Sequence, residues 1–548
     1  MLTAVIEAKL VGETWTDISA DVIAPVYASS GITGNGVLDR VADVGRFTFA
    51  LKNDYGNSGG LAGYYSPGHA NCRTGFEAGL RLRVTFTFDS HDRVYWFGRV
   101  APDGIVVDPD TLGQRKTYVT AYDWFYQAIT HTLYLPAYTT SKKMNEVMPL
   151  IVTNMPIAPL STSYAVGQDT FATVFDTVRY NTTAMAEFQK LAMSELGYVY
   201  LKHNSTSDEI LVSEDRLYRN NVIAITTIPV PTSLSDYLTD EDGNYITTED
   251  GDYIVLDARQ DISLDNAMML LEYSHGENLA NWIEAVSYPK KIDADATTVL
   301  FTLQSRTAIE AGETLSGFKV TYRDPSGGAK KVAGKDMVNP VADTDYWMDS
   351  VSGSNAKDLT ASLTVTVTYG TEGAEYSLEN TGATKGYVFL QFRGRGIYSY
   401  DQVSKIFKDD TPVTGSIAKH GTHKLSLNMP YQNNPVVSNG YGNILLGQYK
   451  NPRSIAKSVT FRTGNDELIG VFMQADCGSK VAIVEDQTGI GEDYFINGWE
   501  FTILDGGYNS SLGNLVEFKW YLKRAADDAY QFGTWDVTTW GDAFGWNF

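Results

Sequence analysis

The fold class of this chain is decided at residues 80–88, which read Leu80, Arg81, Leu82, Arg83, Val84, Thr85, Phe86, Thr87 and Phe88. Apolar side chains occupy every second position, and arginine or threonine fills the positions between them. Successive side chains of a β-strand point to opposite faces of a sheet, so this period of two predicts a strand with one buried face. A turn at residues 89–93 and an aromatic, β-branched run at residues 94–100 extend the prediction to a hairpin.

Strand patterns recur on both sides of this hairpin, at residues 47–51, 359–369, 424–429, 454–468 and 480–485. The composition agrees with them, since 49 Gly, 34 Tyr and 23 Phe stand against 17 Pro, a mixture suited to short strands and glycine turns. Two helical signals interrupt the pattern. One covers residues 141–154, and the other is an apolar stripe on a helix that Gly197 is expected to end. The stripe consists of Met185, Phe188, Leu191, Ala192 and Met193.

The sequence therefore predicts a mainly β protein of several small barrel or sandwich domains with a minor helical insertion. A length of 548 residues is too great for one hydrophobic core. We expect an N-terminal barrel-like domain at 1–130, a helical insertion at 131–200, a β domain at 201–292, an inserted β-sandwich at 293–400, and a second barrel-like domain with an aromatic tail at 401–548.

The charge balance restricts the partners of this chain. There are 43 Lys and Arg against 66 Asp and Glu, a net charge of −23, which disfavours an electrostatic grip on nucleic acid or an anionic membrane. Two cysteines, Cys72 and Cys477, are too few for a disulfide framework. Charged residues within the first ten positions argue against a signal peptide, and no apolar run is long enough to predict a membrane span.

The strongest local concentration of charge lies at residues 236–261, which contain nine acidic residues and one basic residue. An eight-residue motif occurs twice there, at 239–246 and 247–254, and its Asp-Gly turns predict a projecting acidic β-ribbon at 236–257. The spacing resembles the start of a calcium loop, but the glycine and glutamate that such a loop needs at its sixth and twelfth positions are replaced. The ribbon is thus predicted to contact a partner or solvent, through Asp240, Glu241, Asp242, Glu249, Asp250 and Asp252.

Two further groups are candidates for contacts with other proteins. Arg393 and Arg395 alternate with glycines; they either clamp an acidic surface, such as the ribbon of a neighbouring subunit, or form a solvated or locally paired turn. The C-terminal tail is too apolar to remain free in water, so it either docks a neighbouring subunit or folds back on its own domain. Its aromatic residues are Trp535, Trp540, Phe544, Trp546 and Phe548.

No constellation of catalytic residues is recognisable. His420 and His423 lack the glutamate and the helical spacing of a zinc protease motif, and no nucleophile motif occurs. A general acid for glycoside cleavage needs a partly buried site, which a projecting ribbon does not offer. We therefore expect no enzyme activity, no cofactor and no bound metal.

Several short stretches distributed along the chain carry a family resemblance. They are residues 15–19 (WTDIS), 46–53 (RFTFALKN), 65–67 (YSP), 96–100 (WFGRV), 119–124 (VTAYDW), the duplicated Glu-Asp-Gly motif and residues 393–397 (RGRGI). Together they resemble the tail hub proteins, also called baseplate hub or minor tail proteins, of long-tailed bacteriophages.

This resemblance implies a structural virion protein with a hub-like α+β architecture, located at the tail tip. It implies a homo-oligomer, typically a trimer, whose ring joins the tail tube to fibres or a central spike and allows DNA to pass. The alternative interpretation is a carbohydrate-binding or receptor-binding module centred on the 293–400 sandwich, for which 34 Tyr and 10 Trp offer stacking platforms. A cell-envelope hydrolase is the third and weakest interpretation.

Overall fold

The computed structural model of the protein describes residues 2–109, 115–134, 139–175, 181–203, 208–221, 262–263, 268–329, 331–463, 466–504, 515–528, 532–533 and 545–546. Strands account for 46% of the structure and helices for 15%. The protein is mainly β with several separate sheets, as the alternating sequence patterns predict. Within the described ranges, no helix combines the length and the apolar character needed to span a membrane.

The secondary structure consists of many strands interrupted by short helices. The helices are α1 (Phe125–Thr130), α2 (Met144–Val152), α3 (Ala184–Glu195), α4 (Ser416–His420), α5 (Pro435–Tyr449), α6 (Asp466–Gln474) and α7 (Ala525–Asp528). The strands of the first half are β1 (Thr3–Ala8), β2 (Thr16–Asp17), β3 (Val22–Gly31), β4 (Arg46–Lys52), β5 (Arg81–Phe88), β6 (His91–Asp108), β7 (Lys116–Tyr122), β8 (Thr132–Tyr134), β9 (Thr139–Lys142), β10 (Ser161–Tyr164), β11 (Phe171–Val174), β12 (Asn181–Thr183), β13 (Tyr198–Lys202), β14 (Ile210–Glu214), β15 (Ile262–Ser263) and β16 (Met268–His275). Those of the second half are β17 (Trp282–Ser287), β18 (Lys290–Ile292), β19 (Thr298–Thr302), β20 (Thr307–Ile309), β21 (Thr314–Thr321), β22 (Lys331–Lys335), β23 (Tyr346–Asp349), β24 (Leu363–Tyr369), β25 (Gly373–Asn380), β26 (Gly386–Ser399), β27 (Val403–Lys408), β28 (Lys424–Asn428), β29 (Ser454–Arg462), β30 (Lys480–Glu485), β31 (Ile490–Ile503), β32 (Val516–Arg524), β33 (Phe532–Gly533) and β34 (Gly545–Trp546).

The largest sheet combines strands from both ends of the chain. Its order is β16-β29-β32-β31-β3-β4-β7-β6-β5-β1-β2, with β30 and β15 attached beside β31. The junction is the antiparallel pair β3 and β31, in which Ser30 lies opposite Trp499. Segments predicted from the sequence as separate first and last domains therefore share one sheet.

The hairpin predicted from residues 80–88 forms the centre of the N-terminal part of this sheet. In β5 the side chains of Leu82, Val84 and Phe86 are buried, and Arg83 and Thr85 between them are not. The Phe86 ring packs edge-on against the rings of Phe472 and Phe501 from the C-terminal part of the chain. The alternation that predicts the strand thus also supplies the residues that join the two ends of the chain in one core.

The two longer helices of the predicted insertion pack into the same core. Met144, Val147, Met148 and Ile151 of α2 are buried together with the apolar face of α3. Thr183 caps α3, since its hydroxyl accepts a hydrogen bond from the backbone amide of Ala186 at 3.2 Å. The helix ends one residue earlier than the sequence suggests, because Leu196 rather than Gly197 adopts the left-handed conformation, with φ of 54°.

Residues 290–399 form a second β unit with a core of its own. Its long strand β26 pairs with β18, β19, β20, β22 and β23, and a second sheet has the order β21-β25-β24. The alternating pattern at 359–369 forms a strand only from Leu363 onward, because residues Thr360–Ser362 make a 3-10 turn. Leu300, Met348, Leu378, Leu390 and Phe392 lie in the cluster between its sheets.

A third packing unit joins the two larger ones. Strand β17 lies between β27 and β28, and helix α5 covers one face through Tyr441, Leu445 and Tyr449, which are buried with Ile283 and Leu427. Farther along the chain, the predicted strand at 454–468 ends at Arg462, and helix α6 begins at Asp466.

Candidate interaction sites

Most of the residues predicted to contact partners lie outside the described residues. These are the acidic residues Asp240, Glu241, Asp242, Glu249, Asp250 and Asp252, and the tail residues Trp535, Trp540, Phe544 and Phe548. The backbone of Trp546 lies in β34, where it pairs with Gly533 of β33. The roles assigned to these residues remain predictions.

Arg393 and Arg395 lie within strand β26 rather than in a turn, because β19 and β22 pair with the strand on either side of them. The Arg393 guanidinium donates two hydrogen bonds to the buried Asp345 carboxylate, Nε to Oδ1 at 2.5 Å and Nη2 to Oδ2 at 2.8 Å. Burial acts to raise the pKa of Asp345, but the hydrogen bonds from Arg393 and the Val341 amide outweigh it and lower that pKa. Arg395 bonds the Asp336 carboxylate at 3.1 Å and two backbone carbonyls. Both cations thus have partners inside their own β unit.

The next candidates are the histidine pair His420 and His423 and the two cysteines. His420 ends helix α4, and His423 is exposed, with its ring Nε2 3.1 Å from the His420 carbonyl oxygen. Cys72 and Cys477 are not joined in a disulfide. Over the described ranges, no group of three or more His, Cys, Asp or Glu side chains converges in a way suited to a metal ion.

The best-defined charged site is a buried network around Arg219, which the sequence analysis did not single out. The Arg219 side chain is 2% exposed and bonds Glu214 at 2.7 Å and Asp528 of α7 at 3.0 Å. A further Nη1 hydrogen bond reaches the Asn497 side chain of β31 at 2.8 Å. The Tyr198 hydroxyl donates to the same Asp528 carboxylate at 2.7 Å. One guanidinium therefore connects the β13-β14 hairpin to the C-terminal strands.

Arg216, three residues earlier, makes a second connection. Its guanidinium lies 3.0 Å from both the Asp169 and the Glu195 carboxylates. The Tyr441 hydroxyl of α5 also donates to Asp169, at 2.8 Å. Four charged residues lie close together beside a strand, in the run Glu214, Asp215, Arg216, Leu217, Tyr218, Arg219. This density of charge is the feature of the sequence that could have indicated the site.

A third buried pair links the first hairpin to the end of α6. Arg93 forms an ion pair with Asp476 at 3.2 Å and donates to the Met473 carbonyl at 2.6 Å. The backbone amide of His203 donates to Asp476 at 2.7 Å, and burial lowers the pKa of the His203 ring to about 4. The three networks fix the orientation of the N-terminal, middle and C-terminal parts of the chain, because charged hydrogen bonds demand defined geometry.

One long strand at the border of the large sheet is left open. Strand β16 pairs with β29 on one side and, among the described strands, has no partner on the other. Leu270 on this strand is 55% exposed, and Tyr273 is also exposed. Unpaired backbone groups beside exposed apolar side chains are a template for strand addition by another chain.

The structure thus defines a mainly β protein whose two ends build one sheet, with a second β unit attached and with an edge at β16 that has no partner among the described strands. No protein-family model matches the chain, and no curated protein matches it. Among solved structures, the chain is similar to the tail protein from Neisseria meningitidis MC58, at 8% identity and a TM-score of 0.41, covering 95% of this chain and 96% of that one.

Two further solved structures show a similar degree of likeness. The 43 kDa tail protein of prophage MuSo2 from Shewanella oneidensis has 8% identity and a TM-score of 0.44, with 96% of this chain and 99% of that chain covered. The prophage tail protein gp18 from Listeria monocytogenes EGD-e has 8% identity and a TM-score of 0.36, with 95% and 94% covered. Since each TM-score is below 0.5, we base the proposed function on the residues and geometry of this chain.

Proposed function

We propose that this chain is a structural protein of a bacteriophage tail, and that copies of it form the hub ring at the tail tip. In this proposal the ring joins the tail tube to fibres or a central spike and leaves an opening for DNA. The chain acts there by assembly and not as an enzyme, and its location is the virion. The starting point is the resemblance of residues 15–19, 46–53, 96–100 and 119–124 to tail hub proteins.

The observation that carries the proposal is the β16 edge of the large sheet, which has no second partner among the described strands. Buried networks at Arg93 and Arg219 join strands of the large sheet to neighbouring elements, and in this proposal they help the sheet to present the β16 edge in a fixed direction. A ring of identical subunits requires a heterologous contact that repeats with a constant rotation. An edge strand on a rigid body meets this requirement, because backbone pairing fixes both distance and orientation.

The charge of the chain suits a protein that surrounds DNA without binding it. A net charge of −23 repels the phosphate backbone, which keeps non-specific affinity low. Passage of DNA through a ring needs this property, because each attractive contact would slow the movement.

The test is the mass of the purified full chain by light scattering, with negative-stain images of the same fraction. We expect a closed ring, with three subunits as the expected number, and a visible central opening. A chain that stays monomeric over the whole accessible concentration range, both alone and mixed with tail tube protein, would contradict the ring.

A further inference from the structure

A cavity of about 340 Å³ lies where strands β6 and β7 meet helix α1. Its volume is within the range of roughly 300–1,000 Å³ that small-molecule sites occupy. It is distinct from the three Arg networks and from the β16 edge. The side chains that give it its chemistry are Phe97, Arg99, Tyr122, Trp124, Tyr126 and Glu209.

Aromatic rings form the walls of this cavity. The rings of Tyr122 and Tyr126 stack with centroids 4.9 Å apart and an angle of 16° between their planes. The Trp124 indole is fixed in place, since its Nε1 donates to the Ile157 carbonyl at 2.8 Å. Rigid aromatic faces with negative π-surfaces attract the C–H groups on one face of a sugar ring, which carry a small positive charge.

Arg99 supplies a positive charge to the same cavity. Among the described residues its guanidinium has no hydrogen-bond or ion-pair partner, whereas Arg81, opposite it on β5, is paired with Glu13. Arg99 is half-buried, and a cation removed from water without a partner costs free energy. A ligand carboxylate would remove that cost through a bidentate pair.

Two buried carboxyl groups border the cavity beside Arg99. Asp123 accepts hydrogen bonds from the backbone amides of Gly45 at 2.8 Å and Phe125 at 3.0 Å, and Glu209 accepts one from Leu160 at 3.3 Å. Burial raises the pKa of Asp123 to about 7 and that of Glu209 to about 8. At pH 6, about one pH unit below the lower of these two values, both are therefore largely neutral, and the net charge of the lining comes from Arg99.

Other charges act on these groups from neighbouring elements. Asp43 raises the pKa of Asp123 further, and the Asp123 charge raises that of Glu209. Burial lowers the pKa of Arg99, and Arg81 lowers it further, while Glu209 and Glu13 act in the opposite direction. Ionisation of the two carboxyls with rising pH therefore reverses the sign of the potential that a bound anion meets.

We propose that this cavity binds an acidic sugar residue, with the sugar carboxylate on Arg99 and the sugar ring against Tyr122, Tyr126 and Trp124. The proposal concerns a pocket and does not depend on the ring assembly. Free sugar acids and acidic residues within a bacterial surface polysaccharide share the chemistry that Arg99 recognises.

The experiment is calorimetric titration of the full chain at pH 6 with methyl glucuronoside, with N-acetylneuraminic acid, and with a polysaccharide that contains uronic acid. Methyl glucoside is the neutral probe. We expect at least one acidic probe to bind and methyl glucoside to bind at least tenfold more weakly. Arg99→Gln weakens the acidic probe about tenfold or more, since a charged hydrogen-bond pair is lost.

The matched control is Arg462→Gln, which removes an exposed arginine that is paired with Glu517 and does not line the cavity. It is expected to leave the affinity unchanged. Tyr126→Ser is the second variant, and it weakens binding by loss of the stacked ring whether or not Arg99→Gln folds. For the wild-type chain we also expect the affinity to fall between pH 6 and pH 8.5.

Three results would each overturn the proposal. One is the absence of heat from every acidic probe with a folded chain. Another is equal affinity for methyl glucoside and methyl glucuronoside. The third is binding that neither Arg99→Gln nor Tyr126→Ser changes. Binding of the polysaccharide without the free sugars supports the site and identifies a chain end or an extended epitope as its ligand.

Discussion

At the scale of single residues, two buried arginines, Arg216 and Arg219, each pair with two carboxylates. Arg219 is the clearest case, because Glu214 and Asp528 are both almost fully buried and both bond to it. Two buried carboxylates without their cation are strongly unfavourable in a medium of low dielectric constant. Removal of Arg219 therefore affects the β13-β14 hairpin and helix α7 together.

Arg219→Met is expected to destabilise the protein by about 3–5 kcal/mol, the range found when one partner of a buried pair is removed. Urea unfolding followed by circular dichroism measures this change. Arg462→Gln is the control, since the side chains of Arg462 and Glu517 are 44% and 32% exposed, and a surface pair contributes only about 0–1 kcal/mol. Equal effects of the two substitutions would show that the Arg219 network does not stabilise the fold.

The buried carboxyls Asp123 and Glu209 give the stability a defined pH dependence. Their folded-state pKa values, about 7 and about 8, lie above the usual values because burial disfavours the charged form. A raised carboxyl pKa stabilises the folded state below the unfolded-state pKa, and this contribution is lost as pH rises through the folded-state pKa. Between pH 6.5 and 8 the two groups together should remove about 2 kcal/mol of stability.

Unfolding by urea at pH 6.5, 7.25 and 8 tests this dependence. We expect the double variant Asp123→Asn, Glu209→Gln to show a flatter profile than the wild type over this interval. The His203 ring does not interfere, because its pKa is lowered by burial to about 4 and its contribution changes only below about pH 6.5. If the double variant has the same slope of unfolding free energy against pH as the wild type, other groups cause the pH dependence.

At the scale of elements, strand β16, which has no second partner among the described strands, is the subunit contact that the proposed ring uses. Leu270→Lys places a charge on this edge, and lysine on an edge strand opposes pairing with a second strand. Since Leu270 is 55% exposed, the substitution should leave the fold intact and reduce the oligomer to smaller species. Light scattering measures the mass, and circular dichroism checks the fold.

Val341→Lys is the matched control for the edge variant. Val341 is 50% exposed and lies in the 290–399 unit, whose strands are not part of the large sheet. It should keep the wild-type mass. Loss of assembly in both variants, or in neither, would contradict the assignment of β16 as the contact between subunits.

At the scale of the whole molecule, the 290–399 unit is built as an insertion. Its first and last strands are adjacent, since Lys290 of β18 lies opposite Ser399 of β26. The strands that flank it in the chain, β17 and β27, also pair with each other. Its described hydrogen bonds to the remainder include Lys290 to Thr173 at 2.7 Å and Lys335 to Thr140 at 2.9 Å.

Replacement of residues 290–399 by a short glycine linker should therefore leave the large sheet folded. The isolated segment 288–401 should also fold, because its hydrophobic cluster is complete without the large sheet. Thermal unfolding of both products by circular dichroism tests these expectations. A non-cooperative transition in either product would mean that the two units stabilise each other.

The local patterns of the sequence determined which segments become strands and helices. The alternation in β5 and the apolar stripe of α3 specify a buried face by themselves, because the period of side-chain direction is a local property of the backbone. Prediction from local patterns was less accurate where a strand is followed closely by a helix. The strand predicted at 454–468 ends at Arg462 in the structure, and α6 begins at Asp466.

Only the tertiary structure decided which of these segments meet. The pairing of β3 with β31, the partners of Arg219 and the cavity around Arg99 all join positions far apart in the chain. No local period encodes such contacts, because they depend on how complementary faces and buried charges are matched across the whole core. The sequence alone thus specified a mainly β, strongly acidic protein, and long-range packing placed its arginines, its β16 edge and its pocket.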